Sequence, residues 1–463
     1  MKTVRSQSRA GVALAVARGA GRPLQFSLVA FAIVAPLLAG PASAQTVRLT
    51  AEAAAARAVE VSHLAAAAGA RLSASQETVK AADAAALPSL LASATVTQRS
   101  SAPEFAAPIN GPLQPAVVLF PDITTTYGAG LRLQQALYAG GGISGLRAAA
   151  RHDAEASAAG SAQTVADLRL AAQLAYWEAV RSAANVEVAR ANRERAQRLL
   201  ADTRALLDAG MAVKADVLAA DERIASARLD VIVAESSAGN ALTQLRSLLK
   251  LDGATQVELA DSLTGPPPSP VGTIEELQGQ ALARRPEIVA SVAQIAALRS
   301  RQELARAEAR PSLGAVAQWE YSRPNQRYFP QTDTWNDSWS VGLLGSWTLF
   351  DGGKARADIA TSEFAQRAAV QEREELQRRI LLEVETERRN LASALAAVVA
   401  ADAAHAAGVE REKAARERHA AGLAPMVEIL DAEAQLASAE QRRVDARAGS
   451  WMAAAALARA VGQ

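Results

Sequence analysis

The stretch LYAGGG at residues 137–142 recurs in altered form as LFDGG at residues 349–353. Both copies place an apolar residue, an aromatic residue, a spacer and two glycines between an alternating stretch and a long helix-forming run. They lie 349 − 137 = 212 positions apart. A second pair, AGMAVKADVL at 209–218 and AGLAPMVEIL at 421–430, keeps the same spacing, since 421 − 209 = 212. A fixed period over most of a chain indicates a duplicated structural unit.

Each unit is predicted to contain the same succession of elements. A helical segment, about 51–86 or about 274–309, ends near a proline, because the residue before proline is pushed out of the α region. Two alternating strands follow, then the glycine pair, a very long helix, an Ala-Gly turn and a last helix. Long helices of about 65 residues would extend about 95–100 Å. We therefore expect an elongated α+β chain in which two shorter helices stack end to end beside each long one.

These landmarks set the domain boundaries. Residues 1–44 have the order of a secretory signal, with a basic start, an apolar core and an Ala-x-Ala site before Gln45. Residues 45–263 are predicted to form the first repeat, 264–273 a proline-rich linker, and 274–463 the second repeat. The strands are expected at about 89–99, 123–136, 312–321 and 338–349, and the turns between long and last helices at 209–212 and 421–424.

The four predicted strands alternate apolar and polar residues over about ten positions, which is typical of outer-membrane β-strands. Ordinary hairpins on a soluble core are the alternative for any single strand, but four together in an exported chain favour the membrane. A sheet in hydrocarbon must close, because unpaired edge groups are costly there. Known barrels start at about eight strands. Closure therefore requires several copies of the chain, and the periodicity leaves two, three or four copies open.

Composition excludes several function classes. The 463 residues carry 49 basic and 48 acidic side chains, a net charge of +1, so no nucleic-acid-binding face is indicated. The absence of cysteine excludes disulfides and thiolate metal sites. The four histidines have no paired ligand spacing.

Gly140, Gly142 and Gly145 match a dinucleotide-loop pattern, but the second repeat lacks the third glycine and no parallel βαβ unit follows. We predict no enzymatic activity, cofactor or metal.

Four short motifs, taken in order, resemble those of a known family. They are RPEI at 285–288, ARPSL at 309–313, WTLFDGG at 347–353 and AGL at 421–423. With the duplication, they make nearly the whole mature chain similar to the TolC family of outer-membrane exit ducts. The resemblance implies a homotrimer with a twelve-stranded β-barrel, four transmembrane strands from each chain, continued by a twelve-helix periplasmic tunnel.

The resemblance also implies a function and partners. The chain would be the passive exit duct of a tripartite efflux or type I secretion system, set in outer-membrane lipid. A periplasmic adaptor protein and an inner-membrane pump of the RND or ABC type would complete the machine, and the pump would supply the energy. Drug efflux, metal-cation efflux and protein secretion share such a duct. The alternatives are a periplasmic coiled-coil adaptor and a structural envelope protein.

Acidic residues near the second turn would line the closed periplasmic entrance, by resemblance to the family. They map onto Glu428 and Asp431, which lie three positions apart on one helix face. In the first repeat Asp216 corresponds to Glu428, but Ala219 corresponds to Asp431. The second repeat is therefore expected to carry most of the gate. The alternative is that these carboxylates only stabilise helix N-termini.

Two sets of glycine-containing positions complete the candidate site. Gly210, Met211, Gly422 and Leu423 at the helix turns are candidates for adaptor contact, with plain helix capping as the alternative. The glycines of the two repeated stretches are predicted to be strand-to-helix joints, where the backbone turns sharply without a side chain. These joint residues are Gly140, Gly141, Gly352 and Gly353.

Overall fold

The computed structural model describes residues 46–108, 116–253, 255–265 and 272–463. The predicted signal peptide at 1–44 lies outside the described residues, as does most of the predicted linker.

The first repeat holds ten elements. In chain order they are β1 (Thr46–Leu49), α1 (Ala51–Val61), α2 (His63–Ala84), β2 (Ser89–Gln98), β3 (Phe105–Ala107), β4 (Val117–Phe120), β5 (Thr125–Tyr138), α3 (Gly142–Asp208), α4 (Lys214–Leu248) and β6 (Gln256–Leu259). The second repeat holds six. They are α5 (Ile274–Arg284), α6 (Pro286–Glu308), β7 (Ser312–Arg323), β8 (Asn336–Ser346), α7 (Lys354–Ala420) and α8 (Met426–Val461).

The long helices α3 and α7 have 67 residues each. Helix α3 packs against α2, α4 and α6, and α7 packs against α5, α6 and α8. The buried face of α3 is rich in alanine, with Ala172, Ala179 and Ala196 almost fully buried. Such small side chains let neighbouring helix axes approach closely, which explains why a chain so rich in alanine forms long packed helices and not a wide core.

Each helical segment predicted before the strands, over about 51–86 and about 274–309, is divided into two helices. The breaks fall at Ser62 and Arg285, which are 285 − 62 = 223 positions apart. Ser62 caps α2 through its hydroxyl, which accepts from the Leu64 N–H at 3.1 Å. Arg285 precedes Pro286, the first residue of α6, and a residue before proline is disfavoured in the α region. The breaks therefore belong to the repeat.

Strands β2, β5, β7 and β8 form one antiparallel sheet in that order. The pairing of β5 with β7 joins the two repeats. Strand β8 ends at Ser346, three residues before the predicted end, and Trp347 instead donates from its indole Nε1 to the Ala309 carbonyl at 3.2 Å. Strand β5 runs two residues further than predicted, to Tyr138.

The register of this sheet separates apolar from polar side chains. Leu131 pairs with Trp319, and Trp319 pairs with Trp339, so one face carries bulky apolar groups. Arg132 pairs with Gln318 on the opposite face. Trp339 is 69% exposed within the chain. A single chain therefore leaves the apolar face of the sheet uncovered.

Two small strand pairs were not predicted. Strands β1 and β6 pair in parallel, from Thr46 with Gln256 to Leu49 with Leu259. Strands β3 and β4 pair within the connection between β2 and β5. Stretches of three or four residues are too short for an alternating pattern to be recognised.

The β1–β6 pair is held to α3 by a buried tyrosine. Tyr176 is fully buried, and its hydroxyl donates to the Leu49 carbonyl and accepts from the Asp261 N–H, both at 3.0 Å. Burial raises the pKa of Tyr176 to about 12, so the phenol keeps the proton that it donates. Beside it, the rings of Trp177 and Trp451 stack with centroids 4.9 Å apart and link α3 to α8.

Candidate functional site

The turn after α3 is a closed, hydrogen-bonded helix end. Gly210 has φ of 77°, and its N–H donates to the Leu207 carbonyl at 2.9 Å. The Met211 N–H donates to the Leu206 carbonyl at 2.8 Å. This is the Schellman motif, in which a left-handed residue satisfies the last free carbonyls of a helix. A Cβ on Gly210 would meet none of the described residues within 4 Å, so glycine is required by the backbone angle and not by lack of space.

The turn after α7 repeats this structure. Gly422 has φ of 72°, and its N–H donates to the His419 carbonyl at 2.9 Å. The Leu423 N–H donates to the Arg418 carbonyl at 2.8 Å. The duplication detected in the sequence thus extends to individual hydrogen bonds.

Each turn exposes an apolar side chain directly after its glycine. Met211 is 73% exposed and Leu423 is 72% exposed. A cleft of about 570 Å³ is lined by Met211, by His419 of the second turn, and by Ile429 near the start of α8. The structure therefore brings the two turns to the same end of the helices.

The two acidic residues of the second turn have different surroundings. Glu428 lies in the first turn of α8, where its Oε1 accepts from Arg418 Nη1 at 2.5 Å. Asp431 is exposed, and its Oδ2 accepts from Gln435 Nε2 at 2.8 Å. The Glu428–Arg418 contact joins the first turn of α8 to the last turn of α7. Arg418 was not among the predicted site residues, although a basic residue at a helix end facing an acidic residue at the next helix start is a recognisable signal.

Asp216 acts differently from Glu428. Its Oδ2 accepts from the Val213 N–H at 3.1 Å, which caps its own helix α4. The position corresponding to Arg418 in the first repeat is Leu206, which offers no charge. The geometry thus favours the helix N-terminus alternative for Asp216, while Glu428 and Asp431 lie near the second turn.

The first strand-to-helix joint is tightly packed. Gly140 and Gly141, between β5 and α3, have φ of 61° and 95°. A Cβ on Gly140 would lie 2.9 Å from both the Ala307 carbonyl oxygen and the Arg310 Cβ. Arg310 Nη1 also donates to the Gly140 carbonyl at 2.9 Å. This glycine is therefore required both by its backbone angle and by the close approach of α6.

The second joint is open. Gly352 and Gly353, between β8 and α7, have φ of 69° and 94°, but a Cβ on either would meet nothing within 4 Å. Asp351 caps the start of α7, with Oδ1 accepting from the Gly353 N–H at 2.8 Å and Oδ2 from the Ala355 N–H at 2.7 Å. The two joints share a backbone path but differ in their surroundings.

Comparison with known proteins gives a consistent result. The profile of the family described as "Outer membrane efflux protein" matches residues 54–249 and 277–463. The chain is similar to Outer membrane protein TolC of Vibrio cholerae, with 26% identity over 341 residues that cover 72% of this chain and 76% of that protein. It is also similar to Protein CyaE of Bordetella pertussis, with 30% identity over 332 residues that cover 69% of this chain and 68% of that one.

Solved structures agree at the level of the fold. The crystal structure of CusC, described in connection with folding and transmembrane channel formation, superposes with a TM-score of 0.74 at 18% identity, covering 89% of this chain and 92% of that one. At this identity the likeness concerns the arrangement of helices and strands. The duplicated α+β unit with paired strands and long helices, expected from the sequence, is confirmed.

Proposed function

The chain belongs to the outer membrane efflux protein family, and from this premise we propose that it is the passive exit duct of a tripartite efflux or type I secretion machine. It is accordingly an outer-membrane protein with long periplasmic helices. The observation that carries the proposal is the four-stranded sheet, which has one apolar face, one polar face and two unpaired edges.

The unpaired edges support assembly from several copies. Within the described residues, β2 pairs only with β5 and β8 pairs only with β7. In hydrocarbon, the free backbone groups along both outer edges would cost several kcal/mol each. Pairing β8 of one copy with β2 of the next removes both edges. Three copies would give a closed barrel of twelve strands, with Trp339 and its apolar neighbours facing lipid.

The helices support a tunnel below the barrel. A stretch of α7 is apolar and long enough to span a membrane, and 6% of it is buried within the chain. Helix α7 has 67 residues, however, whereas a membrane span needs about 20. Packing against helices of neighbouring copies would cover this surface without a membrane. Three copies of the four helices α3, α4, α7 and α8 would supply the twelve helices of a tunnel.

The end of the helices that carries the turns at Gly210 and Gly422, here called the turn end, is the proposed entrance. Glu428 and Asp431 of three copies would form two rings of carboxylates, and charged rings in a pore bias its selectivity. The exposed Met211 and Leu423 beside Gly210 and Gly422 support contact with the turns of a periplasmic adaptor, because small and apolar residues permit close packing. An inner-membrane pump would drive transport through this entrance.

The proposal is tested by the state of the protein in the envelope. We expect it in outer-membrane fractions as a band of trimer mass that collapses to monomer on boiling. The purified trimer should form discrete channels in planar bilayers. A soluble periplasmic monomer would contradict the duct and favour the adaptor or structural alternatives.

A further inference from the structure

A buried carboxylate lies close to the proposed gate. Glu433 follows Asp431 by two positions on α8 and is 2% exposed. A carboxylate withdrawn this far from water remains charged only if it is paired. Its neighbours therefore determine what it can do.

Those neighbours come from the three other helices that meet near the turn end. Arg416 Nη2 on α7 donates to Glu433 Oε1 at 2.6 Å. Arg223 on α4 and Arg195 on α3 also favour its charged form, whereas Glu412 on α7 opposes it. Burial is the largest effect and raises the pKa of Glu433 above its ordinary value, against the three guanidinium groups. One carboxylate thus interacts with charges from α3, α4 and α7.

A second ion pair connects α8 to the first repeat. Arg195 of α3 is ion-paired with Glu440 of α8, and their side chains are 17% and 16% exposed. Glu440 lies two helical turns after Glu433, on the same side of α8. The segment of α8 beside the gate is therefore attached at two successive levels, to α7 through Glu433 and to α3 of the first repeat through Glu440.

The duplication provides an internal comparison for the Glu433 pair. Arg204 and Asp221 stand 212 positions before Arg416 and Glu433 (416 − 204 = 433 − 221 = 212), and they also form an ion pair, at 2.9 Å. The side chains of Arg204 and Asp221 are 58% and 43% exposed, whereas those of Arg416 and Glu433 are 32% and 2% exposed. Exposed pairs contribute little, but removing one partner of a buried pair is strongly destabilising. The corresponding ion pair is therefore a weak surface pair between α3 and α4 and a buried pair between α7 and α8.

We propose that Glu433 is a positioning residue that holds the gate-bearing start of α8 against α3, α4 and α7, and that loss of its pairing opens the periplasmic entrance. The inference rests on the proposed channel function. Glu428 and Asp431 lie on the same helix within about one and a half turns of Glu433, so a shift of α8 at Glu433 displaces them directly.

The test is single-channel recording of the full-length trimer in planar bilayers. We expect E433Q to raise the fraction of time spent open about tenfold, which corresponds to about 1.4 kcal/mol. The matched variant D221N, at the corresponding position of the first repeat, should conduct like the wild type. Assembled E433Q trimers that gate like the wild type would overturn the proposal, as would an equal effect of D221N.

Two further variants separate positioning from general stability. Arg416 also pairs with Glu412, whose side chain is 14% exposed. The triple variant E412M/R416M/E433M therefore replaces all three charges with apolar groups and should restore wild-type gating, because no carboxylate of this cluster is left without its arginine. If E433Q does not assemble, R416Q removes the same contact from the more exposed side and should open the channel. A change in the dissociation temperature of the trimer with unchanged gating would mean a purely structural role. Wild-type trimers that do not conduct would count against the channel function itself, independently of Glu433.

Discussion

Glu287 Oε1 lies 2.7 Å from Arg459 Nη2, and this contact joins the first turn of α6 to the last turn of α8. Arg285 Nη2 also donates to Glu287 Oε1, at 3.0 Å. The two arginines are 5% and 7% exposed, and the Glu287 side chain is 12% exposed. The Glu287 carboxylate thus bridges two buried guanidinium groups at the break between α5 and α6, and each of them has one further partner, Glu383 for Arg285 and Asp167 for Arg459.

Replacing Glu287 should destabilise the protein. E287Q removes the carboxylate that Arg285 and Arg459 share and leaves each with one partner, Glu383 and Asp167. Because neither arginine becomes unpaired, the cost stays below the about 3–5 kcal/mol of a buried pair that is broken outright. We expect the detergent-solubilised trimer to dissociate at a clearly lower temperature. E77Q is the control, since Glu77 and its partner Lys80 are 68% and 72% exposed. A dissociation temperature for E287Q equal to that of E77Q would show that the cluster is dispensable.

The same cluster predicts a dependence on pH. Burial opposes ionisation of Glu287, but hydrogen bonds from Arg285 and Arg459 outweigh it and lower its pKa from 4.5 to about 2. A depressed pKa stabilises the fold above the unfolded value of 4.5, and this contribution is lost as the pH falls through about 2. We expect the difference in stability between wild type and E287Q to shrink as the pH is lowered across this range. A difference that stays constant with pH would contradict the assignment.

The two joints should respond differently to the same substitution. Alanine at a left-handed position costs about 1–2 kcal/mol, and this applies to both Gly140 and Gly352. G140A also places a Cβ 2.9 Å from the Ala307 carbonyl oxygen, whereas G352A meets nothing within 4 Å. We therefore expect G140A to reduce the yield of heat-resistant trimer much more than G352A. Equal yields would mean that α6 can move away from the first joint.

The proposed gate is tested by neutralising its carboxylates. E428Q/D431N removes the contact between Glu428 and Arg418 that holds the start of α8 to the end of α7. We expect higher single-channel conductance, and a reversal potential in a salt gradient that moves towards zero because the ring charge is lost. D216N is the control, because Asp216 caps its own helix. If E428Q/D431N leaves conductance and reversal potential unchanged, as is expected of D216N, the gate lies elsewhere.

Much of the fold could be predicted because its signals are local and repeated. Alternation over about ten residues identified the four long strands, and the glycine turns fixed the ends of α3 and α7. The break at Arg285 was also readable, since Pro286 follows it, but the break at Ser62 lies in a run of good helix formers where only the serine cap marks it. Strands β1 and β6 are four residues each and are separated by more than two hundred positions, so their pairing leaves no local pattern.

The surroundings of the candidate site could not be predicted, for a physical reason. Glu433 is buried because four helices meet around it. The sequence of α8 around Glu433 does not distinguish it from an exposed glutamate. Asp221, its counterpart, occupies the same place in the repeated sequence and is much more exposed. The burial of Glu433 depends on how the two repeats pack against each other. The sequence of one repeat carries no information about that packing.

The difference in length between the two repeats has a practical consequence. Pro88 and Pro311 are 311 − 88 = 223 positions apart, while Gly140 and Gly352 are 352 − 140 = 212 apart, so the eleven-residue difference falls entirely between proline and joint. That segment holds the strand pair and its connection, and corresponding helices of the two halves differ in length by at most one residue. We therefore expect that an epitope tag inserted at the connection between β2 and β5 leaves unchanged the distance from the sheet to the proposed periplasmic entrance.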